Sequence, residues 1–205
     1  MIIRDPNEIE KRSMEIIESE LTVRIPEENK AVVKRVIHCT ADFDYAENLV
    51  FSPNAVQKAL SALRNGCGIV TDTQMAKSGI NKAAAAKLGC EIHCFMSDPD
   101  VAERAKAQGS TRAVVSMEKA AAIGKPLIFA IGNAPTALLK LRELIDEGRV
   151  SPELVIGVPV GFVNVIESKE AILETAVPFI VAKGRKGGSN VAAAIVNALM
   201  YRITR

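Results

Sequence analysis

Short runs that are apolar at nearly every position alternate with longer stretches of helical spacing, and that alternation constrains this chain more than any other feature. The runs are residues 68–71, 91–95, 127–131, 154–158 and 178–182. Around them lie 82–88, 101–108, 111–123, 135–147 and 165–175, with a last helix from 190 to about 202. A strand that is apolar on both faces has no solvent side, so it belongs in a parallel sheet covered by helices above and below. Right-handed βαβ crossovers follow. Ahead of this region the spacing predicts three helices. The first covers 6–21, with Ile9, Ser13, Ile16, Ile17 and Leu21 on one stripe. Pro26 breaks it, and 27–38 continues through Val32, Val33, Val36 and Ile37. The third covers 54–64, with Ser52 as its cap, Pro53 at its first position and Asn65-Gly66 as its stop. The expectation is one α/β domain over 1–205. It is a three-layer sandwich with a mostly parallel sheet of about five strands, helices on both faces and N-terminal helices.

Composition narrows the function. The chain of 205 residues carries 26 Lys and Arg against 24 Asp and Glu, a net charge of +2. That balance argues against a protein that coats nucleic acid. Aromatic residues are 4% with no Trp, so base-stacking platforms are excluded as well. The N-terminal residues are charged where a signal peptide needs an apolar core. The most apolar stretch, 154–166, is too short for a membrane span and is broken by Gly157, Pro159, Gly161 and Asn164. Cys39, Cys67, Cys90 and Cys94 contain no C-x-x-C pair, which fits free thiols in a reducing cytoplasm. Cys90 and Cys94 share a strand face that His93 does not, so no metal site is expected.

Ligands of such a sheet bind at the carboxyl ends of the strands, which directs attention to the loops there. Gly132-Asn133-Ala134-Pro135-Thr136 follows one run. It is either a plain strand-to-helix turn, or a turn whose free N–H groups attract an anion. Gly184-Arg185-Lys186-Gly187-Gly188-Ser189 is the stronger signal. Its glycines admit a ligand to the backbone, and its cations suit a carboxylate or phosphate. It lacks the P-loop order, and no G-x-G-x-x-G occurs in the chain. Val158-Pro159-Val160-Gly161-Phe162-Val163 is unusually apolar for a loop, as a pocket wall, a subunit contact or an extension of the core would be. His38 ends a helix, where the dipole favours its cation. Histidine is also the ordinary proton donor near neutral pH. By position alone His38 reads as structural, and His93 as a satisfied core residue. Cys39 beside His38 admits a thiol nucleophile in principle. Arg12-Ser13 and Thr111-Arg112 place arginine, a bidentate carboxylate binder, on helices that otherwise face solvent.

Together these segments resemble the precorrin-8X methylmutase family. The resemblance is carried by Arg12-Ser13, Val36-Ile37-His38, Phe51-Ser52-Pro53, Thr71-Asp72 with Met75, Gly79-Ile80 and Thr111-Arg112. It continues through 132–138, 157–163, Glu167-Ser168-Lys169 and 184–189. It spans nearly the whole chain, in the family's order. The tract 39–44 is more similar to the anaerobic, cobalt-precorrin-8 branch than to the aerobic one.

The resemblance implies an isomerase of cobalamin biosynthesis. A methyl group moves between adjacent carbons of pyrrole ring C in a 1,5-sigmatropic shift, giving cobyrinate or hydrogenobyrinate. It implies His38 as the catalytic residue. It also implies substrate contacts from Arg12, Ser13, Thr111 and Arg112, and the two loops add Asn133, Thr136, Gly187, Gly188 and Ser189. No cofactor is expected, since any cobalt belongs to the substrate. A homodimer with its pocket near the interface is implied, with no nucleic-acid or membrane partner. Two other readings remain open: a non-catalytic corrinoid carrier, and an enzyme binding a phosphorylated metabolite at 184–189.

Overall fold

Six strands form one sheet in the computed structural model, which describes residues 2–205. Met1, counted in the expected domain, lies outside the described residues. The strands are β1 (Leu49–Phe51), β2 (Gly68–Thr71), β3 (Ile92–His93), β4 (Leu127–Ile131), β5 (Leu154–Gly157) and β6 (Phe179–Ala182). Their order is β1-β6-β5-β4-β2-β3. All neighbours pair in parallel except β1, which runs antiparallel to β6 with Val50 opposite Val181. The expected five strands are therefore present, and β1 is an addition. The run 91–95 pairs over only two residues.

The apolar runs are buried on both sides because each face has its own helical layer. Ile69, Ile128, Ala130, Ile156 and Ile180 point into a core shared with α2 (Glu27–Thr40), α4 (Ala55–Arg64) and α11 (Ser189–Thr204). Val70, Phe129, Ile131, Val155 and Val181 point the other way. They meet α8 (Arg112–Ala121), α9 (Pro135–Asp146) and α10 (Val165–Leu173). Each fully buried side chain of this size contributes about 1.5–3 kcal/mol. The first layer is extended by α1 (Pro6–Glu20) and α6 (Lys82–Lys87), and α7 (Pro99–Ala107) packs on α8. Short helices α3 (Tyr45–Asn48) and α5 (Gln74–Gly79) complete the order.

Three local expectations change. Ser52 caps no helix: its hydroxyl accepts from the Phe179 N–H at 2.9 Å, and its own N–H donates to the Phe179 carbonyl. It therefore extends the β1–β6 pairing. α4 starts later, at Ala55, after Asn54 in a left-handed turn (φ 58°). His93 is not a satisfied core histidine either. Its Nε2 is buried without a hydrogen bond, 3.4 Å from the Glu91 carboxylate, and its ring stacks on Phe95.

Candidate active site

The strand order reverses between β2 and β4: β3 lies outside β2, while β5 and β6 continue beyond β4. Carboxyl ends flanking such a reversal form the natural crevice of an open α/β sheet. Here Asp72, which follows β2, spans the crevice. Its carboxylate accepts N–H bonds from Gly132 (2.9 Å), Asn133 (2.8 Å) and Ala134 (2.7 Å). The side chain is fully buried, and burial pushes its pKa up while the three N–H bonds oppose that shift. The donors ahead of α9 are therefore already taken by a side chain of the chain itself. Of the two readings of this tract, the one with donors left free for an external anion therefore fails, and the plain strand-to-helix turn stands. Ala134 is the N-cap of α9 and offers no capping side chain.

The loop 184–188 lies beside this crevice. The Gly188 N–H donates to the Val158 carbonyl at 2.9 Å, and the Gly161 N–H donates to the Arg185 carbonyl at 3.2 Å. A side chain at Gly132 would sit 2.7 Å from both the Gly188 carbonyl and the Ser189 Cα. Three strand ends thus close on one another, and glycine is required where they touch. Gly188, at φ 138°, takes the N-cap position of α11. Ser189 is buried, and its hydroxyl lies 2.7 Å from Thr73 Oγ1. In the loop after β5, Val158 and Pro159 extend the core, while Phe162 (82% exposed) and Val163 (76%) stand in solvent at its tip. Arg185 lies over the Phe162 ring, 5.5 Å from its centroid.

His38 sits in the last turn of α2, exposed, before a left-handed Ala41 (φ 53°) that stops the helix. With Ser13, Ile16, Ile17, Ile37 and Phe43 it lines a groove of about 240 Å³ between α1 and α2. On its other flank a groove of about 360 Å³ reaches Asn190 on the first turn of α11. The turn after His38 is tied to the glycine loop. Lys186 Nζ lies 2.6 Å from the carboxylates of both Asp42 and Asp44. The Lys186 ammonium holds the Asp42 carboxyl below its usual range. Burial pushes the Cys39 thiol up, which is the wrong direction for a thiolate nucleophile.

Thr111 caps α8 by accepting the Val114 N–H, and its hydroxyl lies 3.2 Å from that of Thr136 on α9. Arg112 follows and is exposed. Asn133 is exposed as well, with its backbone held by Asp72.

The expected residues therefore fall in three clusters along the carboxyl edge: Ser13 with His38, Gly187-Gly188-Ser189, and Thr111 with Thr136. The Lys186 bridge joins the first two, and Gly132 against Ser189 joins the second to the β4 exit. Arg12 stays apart in a surface ion pair with Glu15 at 3.1 Å. Ser13 donates to the Ile9 carbonyl of its own helix. Sequence reasoning gave no role to Asp72, Thr73 or Lys169. Lys169 carried a legible signal, because it falls on the apolar stripe of α10 with Val165 and Ile172. Asp72 carried only its place at the exit of an apolar run.

The model of the precorrin-8X methylmutase family matches residues 8–202. A cobalt-precorrin-8 methylmutase of Priestia megaterium is 48% identical over 195 residues, covering 95% of this chain and 87% of that protein. The cobalt-precorrin-8 methylmutase of Salmonella typhimurium is 47% identical and covers 98% of this chain and 97% of its own. A crystal structure of a precorrin-8X methyl mutase from Thermus thermophilus superposes with a TM-score of 0.90 at 40% identity, over 95% of each chain. With the site on the carboxyl edge and these likenesses along its whole length, the chain belongs to the precorrin-8X methylmutase family.

Proposed function

We propose that the protein is an isomerase of cobalamin biosynthesis that moves a methyl group between adjacent carbons of ring C of cobalt-precorrin-8, with His38 as its acid or hydrogen-bond donor. The observation that carries this reading is the setting of His38 in a chain of this family. It is exposed between two grooves, one walled by Ile16, Ile17, Ile37 and Phe43, and its turn is tethered to a glycine loop. A corrin precursor is a large apolar ring fringed by carboxylates. Apolar walls beside placed donors suit it.

The reaction needs little covalent help. The migrating methyl leaves one carbon and arrives at its neighbour within one molecule, so no external donor, nucleophile or leaving group is involved. The tasks are to place the ring and to favour the tautomer from which the shift proceeds. A proton or hydrogen bond from His38 to a ring nitrogen serves the second task. Arg112 and the 184–189 loop serve the first, joined by Arg12 once a substrate carboxylate takes the place of its Glu15 partner, with Ser13, Thr111, Asn133 and Thr136 supplying neutral contacts. A positioned acid contributes a factor of about 10²–10⁴, or about 3–5 kcal/mol of barrier. The cobalt-bearing substrate is favoured by the names of the two relatives at 47% and 48% identity, both cobalt-precorrin-8 methylmutases. Those names also favour an enzyme over a corrinoid carrier.

His38→Ala is expected to bind the corrinoid with unchanged affinity and to convert it about 10²–10⁴ times more slowly. The conversion is followed by the visible spectrum. Turnover at the wild-type rate removes His38 from the chemistry. A wild-type protein that binds cobalt-precorrin-8 but never isomerises it would favour the carrier.

A further inference from the structure

Lys169 is 1% exposed, on the face of α10 that also buries Val165, Ser168 and Ile172. An ammonium there is costly unless its hydrogens are taken. Two of the three are taken by main chain: Nζ donates to the carbonyl of Gly184 at 2.7 Å and to that of Lys186 at 2.8 Å. Burial lowers its pKa to about 8. A methionine or leucine would fill this site without that cost, so the position is poorly explained by packing alone.

The two carbonyls bracket Arg185 in a loop with Gly184 at φ 75° and Gly188 at φ 138°. A segment this rich in glycine has many accessible backbone states, and the Lys186 bridge to Asp42 and Asp44 and the Arg185 contact with Phe162 anchor side chains rather than the peptide planes between them. The peptide plane supplies the consequence. In a trans peptide the N–H of one residue points opposite to the carbonyl of the residue before it. Drawing the Gly184 and Lys186 carbonyls toward Lys169 therefore turns the N–H groups of Arg185 and Gly187 away from it. Both of these main-chain donors then face the side of the loop opposite Lys169.

We propose that Lys169 is a positioning residue that presets the 184–188 loop so that the N–H groups of Arg185 and Gly187 receive a carboxylate of the corrin substrate. The proposal rests on reading this loop as a carboxylate holder. Lys169 itself touches no substrate. Its effect is on how much of the protein stands ready to bind, so it belongs to affinity rather than to the methyl shift.

The test compares wild type, Lys169→Met and Lys169→Arg. Cobyrinate affinity is read by visible titration, and kcat and KM are read on cobalt-precorrin-8. Lys169→Met is expected to raise both the cobyrinate Kd and KM at least tenfold, with kcat within threefold. Lys169→Arg keeps charged donors, and a groove of about 420 Å³ beside Lys169 and Gly184 gives the longer side chain room. It is expected to stay within threefold of wild type in affinity, a rescue that a purely structural role would not show. If circular dichroism shows that Lys169→Met does not fold, Lys169→Leu, which also lacks donors, carries the same comparison. In parallel, the amide resonances of Arg185 and Gly187 in labelled wild type are expected to shift when cobyrinate binds. Wild-type affinity in Lys169→Met overturns the proposal. If the two amides still shift in that case, the reading of the loop survives it. If the amides do not shift in wild type, that reading and the proposal fall together.

Discussion

Asp72 is a carboxylate held by three backbone N–H groups from a loop 60 to 62 residues further along the chain. An ionised acceptor in such a setting makes charge-assisted bonds, stronger than neutral ones. Asp72→Asn keeps the size but turns an NH2 group toward N–H donors it cannot accept from. A buried donor left unpaired in this way is destabilising, and the substitution is expected to lower unfolding stability by about 2–4 kcal/mol. Urea denaturation measures it, and a change under 1 kcal/mol would mean that the three bonds do not matter to the fold. The same residue shows where sequence reading stops. The tract 132–136 was legible as a turn rich in N–H donors, but reading segment by segment does not reveal that Asp72 fills them. His38 is a second case. Its helix-end position was legible, whereas its chemistry came only through resemblance. Lys169 differs again, since a lysine on an apolar helical stripe is visible in the sequence itself.

At the scale of elements, periodicity served long segments and failed short ones. β4 and β5 were clear because every position is apolar, and α8, α9 and α10 because their stripes recur over at least two turns. β1 has three residues and α3 four, too few for a repeat to register, while α5, with six, passed unread although α6 of the same length, rich in alanine, did not. β1 exists because β6 offers it a partner, and Ser52 extends that pairing. Contact between elements matters as much as their existence. Gly132 ends the β4 strand where α11 begins, and a Cβ there would lie 2.7 Å from the Gly188 carbonyl. Gly132→Ala is expected to cost about 1–3 kcal/mol through overpacking. Because the displaced atoms belong to the glycine loop, it is also expected to weaken cobyrinate binding. Thermal unfolding and the visible titration read the two effects. A variant as stable and as tight as wild type would show that the loop yields freely.

The whole molecule draws its candidate site from both helical layers. His38 and Ser13 stand on the α1–α2–α11 side of the sheet, while Thr111 and Thr136 stand on the α8–α9 side. The residues between them, at the carboxyl edge, include Met75 (72% exposed), Phe162 and Val163. Phe162 and Val163 are adjacent in the chain and both stand in solvent, and adjoining large apolar side chains there suit a surface that another body covers. The family resemblance implies a second copy as that body, and on that reading Phe162→Asp is expected to shift the protein from dimer to monomer in sedimentation at micromolar concentration. A wild type that sediments as a monomer throughout would overturn the implied homodimer. The sheet itself limits what form such pairing takes. Its two margins are β1, with three residues, and β3, with two. Neither is long enough to template a neighbour's strand. Copies of this chain are therefore offered little template for lateral ribbon growth through the sheet margins. The brevity of the outermost strands thus acts as a limit on polymerisation by strand addition, whatever else the chain associates with.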